Sequence, residues 1–156
     1  MRYRERYKAG QTPLDVGRPD FNLIEVVTRH PVPPGKAMDI GCGTGDNALW
    51  LARNGFQVTG TDTAEIAHSF PSDNDRSRFA RNVAAHLEEA GLWLTLVGSP
   101  DERRDGPGPP QRTAGDIVLA VEPFFEILAL TSSHFESNRP NPPRAWRCLM
   151  QKRRTT

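Results

Sequence analysis

The sequence has 156 residues, a length that suits one domain with a core of its own. Its formal net charge is +1, with 25% charged and 37% apolar residues, so composition gives no general attraction to nucleic acid or membranes. It holds no apolar run of about 18 residues, no apolar signal-peptide region near its start, no Cys-x-x-Cys pair and no metal-ligand spacing of its histidines. We therefore expect one cytoplasmic domain over residues 1–156, with reduced thiols and no metal, nucleic-acid or membrane partner.

The first 35 residues predict a loop, a helix and a proline-rich connection. The stretch from Thr12 to Pro19 is a loop by its proline and glycine content. Asp20 is placed to cap a helix whose apolar face is suited to packing on a sheet. Four residues then break the chain before the first strand: Pro31, Pro33, Pro34 and Gly35.

The rest of the chain is organised around residues 36–62, KAMDIGCGTGDNALWLARNGFQVTGTD. This stretch predicts a strand that ends in Asp39, a glycine-rich turn and a helix from Asp46 to Asn54. A second strand follows from Gln57 to Thr61, and Asp62 stands at its carboxyl end. In a parallel α/β sheet, ligands bind just outside the carboxyl ends of the strands, so the turn and Asp62 predict a binding site.

Two nucleotide-binding interpretations compete for the glycine turn. A dinucleotide fingerprint places its third glycine at position 46, but this sequence has Asp46 there, and the third glycine is Gly45. An acid at a helix N-terminus would repel a pyrophosphate, which disfavours a nicotinamide cofactor. A glycine-rich turn of some other α/β protein is the third interpretation.

The Asp-x-Gly-x-Gly-x-Gly spacing with a later acid resembles motif I of class I S-adenosylmethionine-dependent methyltransferases. The loop around Thr12 to Pro19 resembles the Thr-Pro-Trp-Asp-x-Gly-Arg-Pro stretch of their thiopurine- and tellurite-type small-molecule branch, with Leu14 where the tryptophan stands. The resemblance implies S-adenosylmethionine as cofactor, with the turn under its methionine part and Asp62 accepting from its ribose hydroxyls. The implied cofactor-binding residues are Asp39, Gly41, Cys42, Gly43, Thr44, Gly45, Asp62 and Thr63.

The sequence after Asp62 is too short for the complete fold of that family. Only one helix, capped by Ser72 with Asp75 and ended by Gly91, fits before the next strand at residues 92–97. Two βα units, holding the third and fourth strands of the family, are missing, and the join falls between Ala67 and His68. A long polar loop follows the strand, from residue 98 to residue 112; a plain solvent loop is the favoured interpretation, and cover over the substrate side is the alternative.

The last third of the sequence predicts a helix and an antiparallel hairpin. Thr113 and Asp116 form a capping box, and the two strands of the hairpin are expected at residues 124–130 and 144–152. The predicted fold is thus a truncated Rossmann-like three-layer α/β sandwich with an antiparallel C-terminal hairpin. Within one domain it has a lead-in (1–35), a cofactor-binding half (36–67) and a C-terminal half (68–156).

The resemblance implies transfer of a methyl group to a small-molecule acceptor. Such a displacement needs alignment more than acid–base groups, so no catalytic residue is assigned. Candidate substrate-side residues are Leu14, His68, Phe70 and His134, the histidines as bases for a protonated acceptor.

Loss of central strands would leave backbone groups unpaired. We therefore expect the first strand to pair directly with the strand at 92–97 in a monomer, and the alternative is a homodimer whose two chains swap elements. The alternative to an enzyme is a non-catalytic remnant with a weakened cofactor site.

Overall fold

The computed structural model describes residues 5, 8–10, 15–30, 32–61, 72–102 and 110–154. In chain order its elements are α1 (Phe21–Arg29), β1 (Lys36–Ile40), α2 (Asp46–Arg53), β2 (Gln57–Thr61), α3 (Asp73–His86), β3 (Leu92–Gly98), α4 (Ala114–Val121), β4 (Phe125–His134) and β5 (Arg144–Lys152). Within the described residues, no helix is long and apolar enough to cross a membrane.

The chain divides into two compact units, and we describe each by itself. The N-terminal unit comprises Met1–Ala67 and Phe135–Pro142, and the C-terminal unit comprises His68–His134 and Pro143–Thr156. The boundary after Ala67 coincides with the join predicted from the sequence. That the chain is a single domain stays a prediction.

The N-terminal unit is built on a parallel pair of strands joined through α2. Lys36 of β1 lies opposite Gln57 of β2, and Ile40 lies opposite Thr61, so the two strands end at the same edge. Helix α1 begins as predicted, because the Asp20 carboxylate accepts from the Asn22 backbone N–H at 2.8 Å.

The C-terminal unit contains an antiparallel three-stranded sheet in the order β3-β5-β4. The strand β5 pairs along its length with both neighbours, from Leu92 opposite Gln151 to His134 opposite Arg144. A register shift between Ile127 and Ala129 interrupts β4. The predicted hairpin is confirmed, with β5 at the expected residues and β4 four residues longer at its end.

Helices α3 and α4 pack with this sheet around a closed apolar core. Its buried members are Ala80, Ala84, Ile117, Ala120, Val121, Phe125, Cys148 and Met150. Trp93 contacts two rings in this core, with centroids 5.9 Å from Phe79 and 5.2 Å from Phe125. These geometries are those that aromatic quadrupoles favour.

Both capping residues of the C-terminal unit lie where the sequence predicts them. The Ser72 hydroxyl accepts from the Asp75 N–H at the start of α3. Thr113 and Asp116 form a reciprocal capping box at the start of α4. The predicted end of α3 at Gly91 is wrong: the helix ends at His86, and Leu87 follows in an extended conformation.

The predicted fold class is confirmed, but the predicted strand pairing is wrong. Among the described strands, β1 pairs with β2 and β3 pairs with β5, so the direct pairing of residues 36–40 with 92–97 is not found. Between Thr61 and Leu92, the described residues hold one helix and no strand. This accords with a Rossmann-like fold that lacks its third and fourth strands.

Candidate functional site

The candidate site lies at the common edge where β1 and β2 end. Between β1 and α2, the chain makes a turn in which Gly41, Gly43 and Gly45 have φ angles of 76°, 54° and 87°. These angles lie in the left-handed region, which costs an L side chain about 1–2 kcal/mol. A Cβ atom at Gly41 or Gly45 would meet nothing within 4 Å, so the bare backbone here faces open space.

Hydrogen bonds hold the glycine turn on the end of β2. The backbone N–H groups of Gly41 and Cys42 both donate to the Thr61 carbonyl oxygen, at 2.6 and 3.1 Å. The Gly45 N–H donates to the Cys42 carbonyl at 2.8 Å and closes the turn. The turn therefore lies directly beside Thr61, the last residue of β2.

Asp39 and Cys42 flank the turn on its β1 side. Asp39 lies opposite Gly60 in the sheet, and its Oδ2 oxygen is shielded from solvent. A Cβ atom at Gly60 would come within 3.0 Å of the Cys42 sulfur. Cys42 therefore fills space over β2 that exists only because position 60 is glycine, which fits a packing role.

Thr44 connects the glycine turn to two carboxylates. Its hydroxyl oxygen lies 2.9 Å from Asp15 Oδ1 and 2.8 Å from Asp46 Oδ2. Asp46 begins α2, where a negative charge interacts favourably with the helix dipole. Asp15 comes from the loop before α1, so the structure brings this loop against the turn.

The segment from Asp15 to Asp20, which we call the strap, is fixed at three points. Besides the Asp15 contact, the Asp20 backbone N–H donates to Asn47 Oδ1 at 2.7 Å. Arg18 forms an ion pair with Glu136 at 2.7 Å and donates to Asn138 Oδ1 at 3.2 Å.

The contacts that Asp15, Asp46 and Glu136 make around the turn and the strap were not predicted from the sequence. A signal existed for Asp15, because it stands in the stretch that resembles the family pattern. No sequence signal pointed to Glu136, since its partner Arg18 is 118 residues away in the sequence.

Several predicted site residues lie outside the described residues. These are Leu14, Asp62, Thr63, His68 and Phe70. Of the predicted site, the structure brings together Asp39 and the turn from Gly41 to Gly45. His134 was expected in a loop and is instead the last residue of β4, exposed and opposite Arg144 in the sheet. In the described ranges, no group of three or more acidic, histidine or cysteine side chains could hold a metal.

A βαβ unit with a left-handed glycine turn at the strand ends, followed by an antiparallel hairpin, is consistent with a truncated form of the fold of class I S-adenosylmethionine-dependent methyltransferases. Residues 14–88 match the family model of the tellurite resistance protein TehB. The sequence matches and the shared fold both support a class I S-adenosylmethionine-dependent methyltransferase.

Two curated relatives match parts of the chain. The ribosomal RNA small subunit methyltransferase C of Alcanivorax borkumensis is 53% identical over 81 residues, 51% of this chain. A probable thiol methyltransferase 2 of Arabidopsis thaliana is 32% identical over 65 residues, 42% of this chain. The chain covers 24% and 29% of the lengths of these relatives.

Solved structures share the fold at low sequence identity. The chain from a structure titled "Conversion of a Disulfide Bond into a Thioacetal Group during Echinomycin Biosynthesis" matches with a TM-score of 0.75 at 16% identity, covering 94% of this chain and 90% of that one. An Anabaena variabilis S-adenosylmethionine-dependent methyltransferase matches with a TM-score of 0.62 at 16% identity, covering 97% and 92%. A TehB-like one from Corynebacterium glutamicum gives 0.57 at 16% identity, covering 97% and 95%.

Proposed function

We propose that the chain binds S-adenosylmethionine at the glycine turn and transfers its methyl group to a small-molecule acceptor. One observation carries this proposal: the turn of three left-handed glycines is held on the Thr61 carbonyl through the Gly41 and Cys42 N–H groups, and its backbone faces open space at Gly41 and Gly45. An approaching ligand can lie against this surface because no side chain projects from Gly41 or Gly45.

The residues around the turn suit a ligand with hydroxyl and ammonium groups and no phosphate. Asp39 and Asp46 place carboxylates on both sides of the turn, which would repel a pyrophosphate. In our proposal the turn holds the methionine part, and Asp62 accepts from the ribose hydroxyls. Asp39, Cys42, Thr44 and Thr63 complete the cofactor-binding residues.

When bound, the cofactor supplies a methyl group already activated on a sulfonium. The chain then has to align the acceptor with that methyl and exclude water. We assign Leu14 and Phe70 to the wall of the acceptor pocket. His68 and His134 are the bases for an acceptor that holds its proton at neutral pH.

A thiol is the acceptor we favour, supported by the name of the Arabidopsis relative and by the tellurite resistance family. Both point to a soft, polarisable nucleophile. We infer that the methyl transfer itself needs no nucleic-acid or membrane partner and that the protein is a monomer or a homodimer that swaps elements. Size-exclusion chromatography distinguishes these two assemblies.

Calorimetry with S-adenosylhomocysteine tests cofactor binding directly. We expect binding to the parent chain and about tenfold weaker binding to Gly41→Ala, because the left-handed φ of 76° strains an alanine there by about 1–2 kcal/mol. Gly55→Ala is the matched control. It has a φ of 88° at the end of α2, where its Cβ would meet only Pro34, at 3.4 Å. If both variants weaken binding equally, the glycine turn is not the binding surface.

The same titration decides between the enzyme and a non-catalytic remnant. The remnant is favoured by the absence of a strand between Thr61 and Leu92 in the described residues, because the family fold holds its third and fourth strands there. Micromolar affinity with turnover of a thiol acceptor supports the enzyme. The absence of binding at millimolar ligand would refute it, and binding without turnover of any thiol supports the remnant.

A further inference from the structure

Two shallow depressions flank α3, and their charges differ. In the first, Arg76 forms an ion pair with Asp73, and Asp116 lines the same surface. The positive charge of Arg76 is therefore balanced locally by two carboxylates. The second depression, which we call the α3 groove, is lined by Asn74, Ser77, Arg78, Arg81 and Phe124.

The α3 groove presents positive charge that the described residues do not neutralise. Its four helical residues occupy positions i, i+3, i+4 and i+7, so their side chains share one face of α3. Arg78 and Arg81 are exposed, and neither forms an ion pair within the described part of the chain. Asn74 and Ser77 add neutral hydrogen-bonding groups on the same face.

A third guanidinium is held beside the aromatic end of the groove. The Arg153 backbone N–H donates to the Phe124 carbonyl at 3.0 Å, and its Nε donates to the Glu122 carbonyl at 2.8 Å. These bonds fix the start of the Arg153 guanidinium next to the turn that carries Phe124. Both hydrogen bonds use carbonyl oxygens, which carry no net charge, so they leave the positive charge of Arg153 unbalanced.

We propose that the α3 groove binds a nucleoside phosphate, with the phosphate between Arg78 and Arg81 and the base against Phe124. Guanidinium groups match the geometry of phosphate oxygens, and an aromatic ring offers a stacking face to any base. The groove holds about 90 Å³, far below the roughly 300–1,000 Å³ of pockets that enclose a whole ligand. It accepts the phosphate and leaves the base at the surface.

This site neither requires nor extends the proposed methyl transfer, since it lies in the C-terminal unit and needs no methyl donor. The net charge of +1 over the whole chain gave no hint of it. Net charge averages over the sequence, whereas the groove concentrates cations on one face of one helix.

Binding is tested with three probes on the full chain, without cofactor: inorganic phosphate, adenosine monophosphate and a short labelled single-stranded oligonucleotide. We expect Arg78→Gln/Arg81→Gln to weaken binding of adenosine monophosphate about tenfold or more. Arg53→Gln, an exposed arginine in the last turn of α2, is the matched control and should leave binding unchanged. Equal losses in both variants, or no binding of any probe by the parent chain, overturn the proposal.

The aromatic half of the proposal has its own test. Phe124→Leu should remove the preference for adenosine monophosphate over inorganic phosphate, whereas Phe124→Tyr should keep it, because only the ring stacks. Thermal melting of both variants checks that they fold, since Phe124 also packs against the core. Tighter binding of the oligonucleotide than of the mononucleotide identifies a nucleic-acid strand as the source of the phosphate, and the reverse identifies a free nucleotide. A parent chain that binds phosphate and adenosine monophosphate equally contradicts the stacking role.

Discussion

The N-terminal and C-terminal units differ sharply in how much apolar surface they bury. Among the described residues, the buried apolar side chains of the N-terminal unit are Val26 and Leu51, and ten others belong to the C-terminal unit. The N-terminal unit leaves Met38, Ile40 and Leu49 exposed by 58%, 40% and 50%. Its two strands instead carry the glycine turn, which the strap contacts through Asp15 and Thr44.

The unit with the larger apolar core is therefore not the unit that carries the candidate site. Burial of apolar surface is the main favourable term in folding, so the C-terminal unit has the stronger support. The N-terminal unit is held largely by polar contacts, such as Asp20 to Asn47 and Arg18 to Glu136. Such contacts each contribute modestly, so the candidate site stands on the less stable half.

The largest expected effect is in the core of the C-terminal unit. Phe125→Ala should lower the free energy of unfolding by about 3–5 kcal/mol. The substitution removes a fully buried ring that contacts Trp93, and it leaves a cavity in its place. Leu51→Ala in the N-terminal unit should cost about 2 kcal/mol, since its surroundings can collapse onto the gap. Urea titration measures both. An equal cost would contradict the contrast in packing between the two units.

The two cysteines should report the same contrast through their reactivity. Both are described, and neither forms a disulfide. Cys148 is fully buried, and burial raises its pKa to about 11, whereas Cys42 is half-buried beside the glycine turn. At neutral pH a thiol reagent should modify Cys42 about 100-fold faster than Cys148, which reacts only after local opening.

Because the pKa of Cys148 is raised, the free energy of unfolding also depends on pH. The pKa of this thiol is 9.0 in the unfolded chain, whereas burial raises the pKa of the native thiol to about 11. The contribution of the protonated Cys148 thiol to the free energy of unfolding is therefore complete below pH 9. It is lost as the pH rises from 9 to about 11. Labelling of Cys42→Ser and Cys148→Ser assigns each rate, and similar rates would show that the C-terminal core opens readily.

A smaller effect is expected at the start of α4. Thr113→Ala should cost about 1 kcal/mol by removing the cap, whereas Thr113→Ser should keep it. Hydrogen bonds from the backbone N–H and the hydroxyl of Thr113 lower the pKa of Asp116. Asp116 thus stabilises the folded state above its unfolded pKa, and this contribution disappears as the pH falls through the lowered pKa. Thermal melts of the parent and both variants between neutral and acidic pH measure it, and identical melts would refute the cap.

The smallest expected effect is at the strap. Glu136→Gln should cost about 0.5–1 kcal/mol, since the Arg18 side chain is 50% exposed and its ion pair is screened by solvent. Glu25→Gln removes the exposed pair with Arg29 on α1 and should cost about 0.3 kcal/mol. Urea titrations at low and high salt measure both. A cost for Glu136→Gln that does not shrink with salt would show that the charge of Glu136 is not what holds the strap.

Features fixed by neighbouring residues could be predicted from the sequence. Asp20, Ser72 and Thr113 cap helices because a side chain reaches a backbone N–H two or three positions on. The glycine turn was predictable because its spacing is local, and so was the strand at 144–152. The end of α3 could not be predicted in this way. Gly91 suggested a helix end there, but α3 ends at His86 and Leu87 is already extended.

Contacts between distant segments could not be predicted in the same way. The pairing partner of β1 depends on which strands lie beside it, a tertiary property that hydrophobic pattern does not encode. Asp15 meets Thr44 across 29 residues, and Arg18 meets Glu136 across 118. No periodicity in a single sequence links such positions.

The tie between Arg18 and Glu136 also bears on how the protein is made. A nascent chain emerges from the ribosome N-terminus first, at about 5–20 residues per second. The glycine turn and its strap are thus synthesised long before Glu136 and Asn138, which come between β4 and β5 in the sequence. The N-terminal unit therefore completes these contacts only after Glu136 and Asn138 have been synthesised.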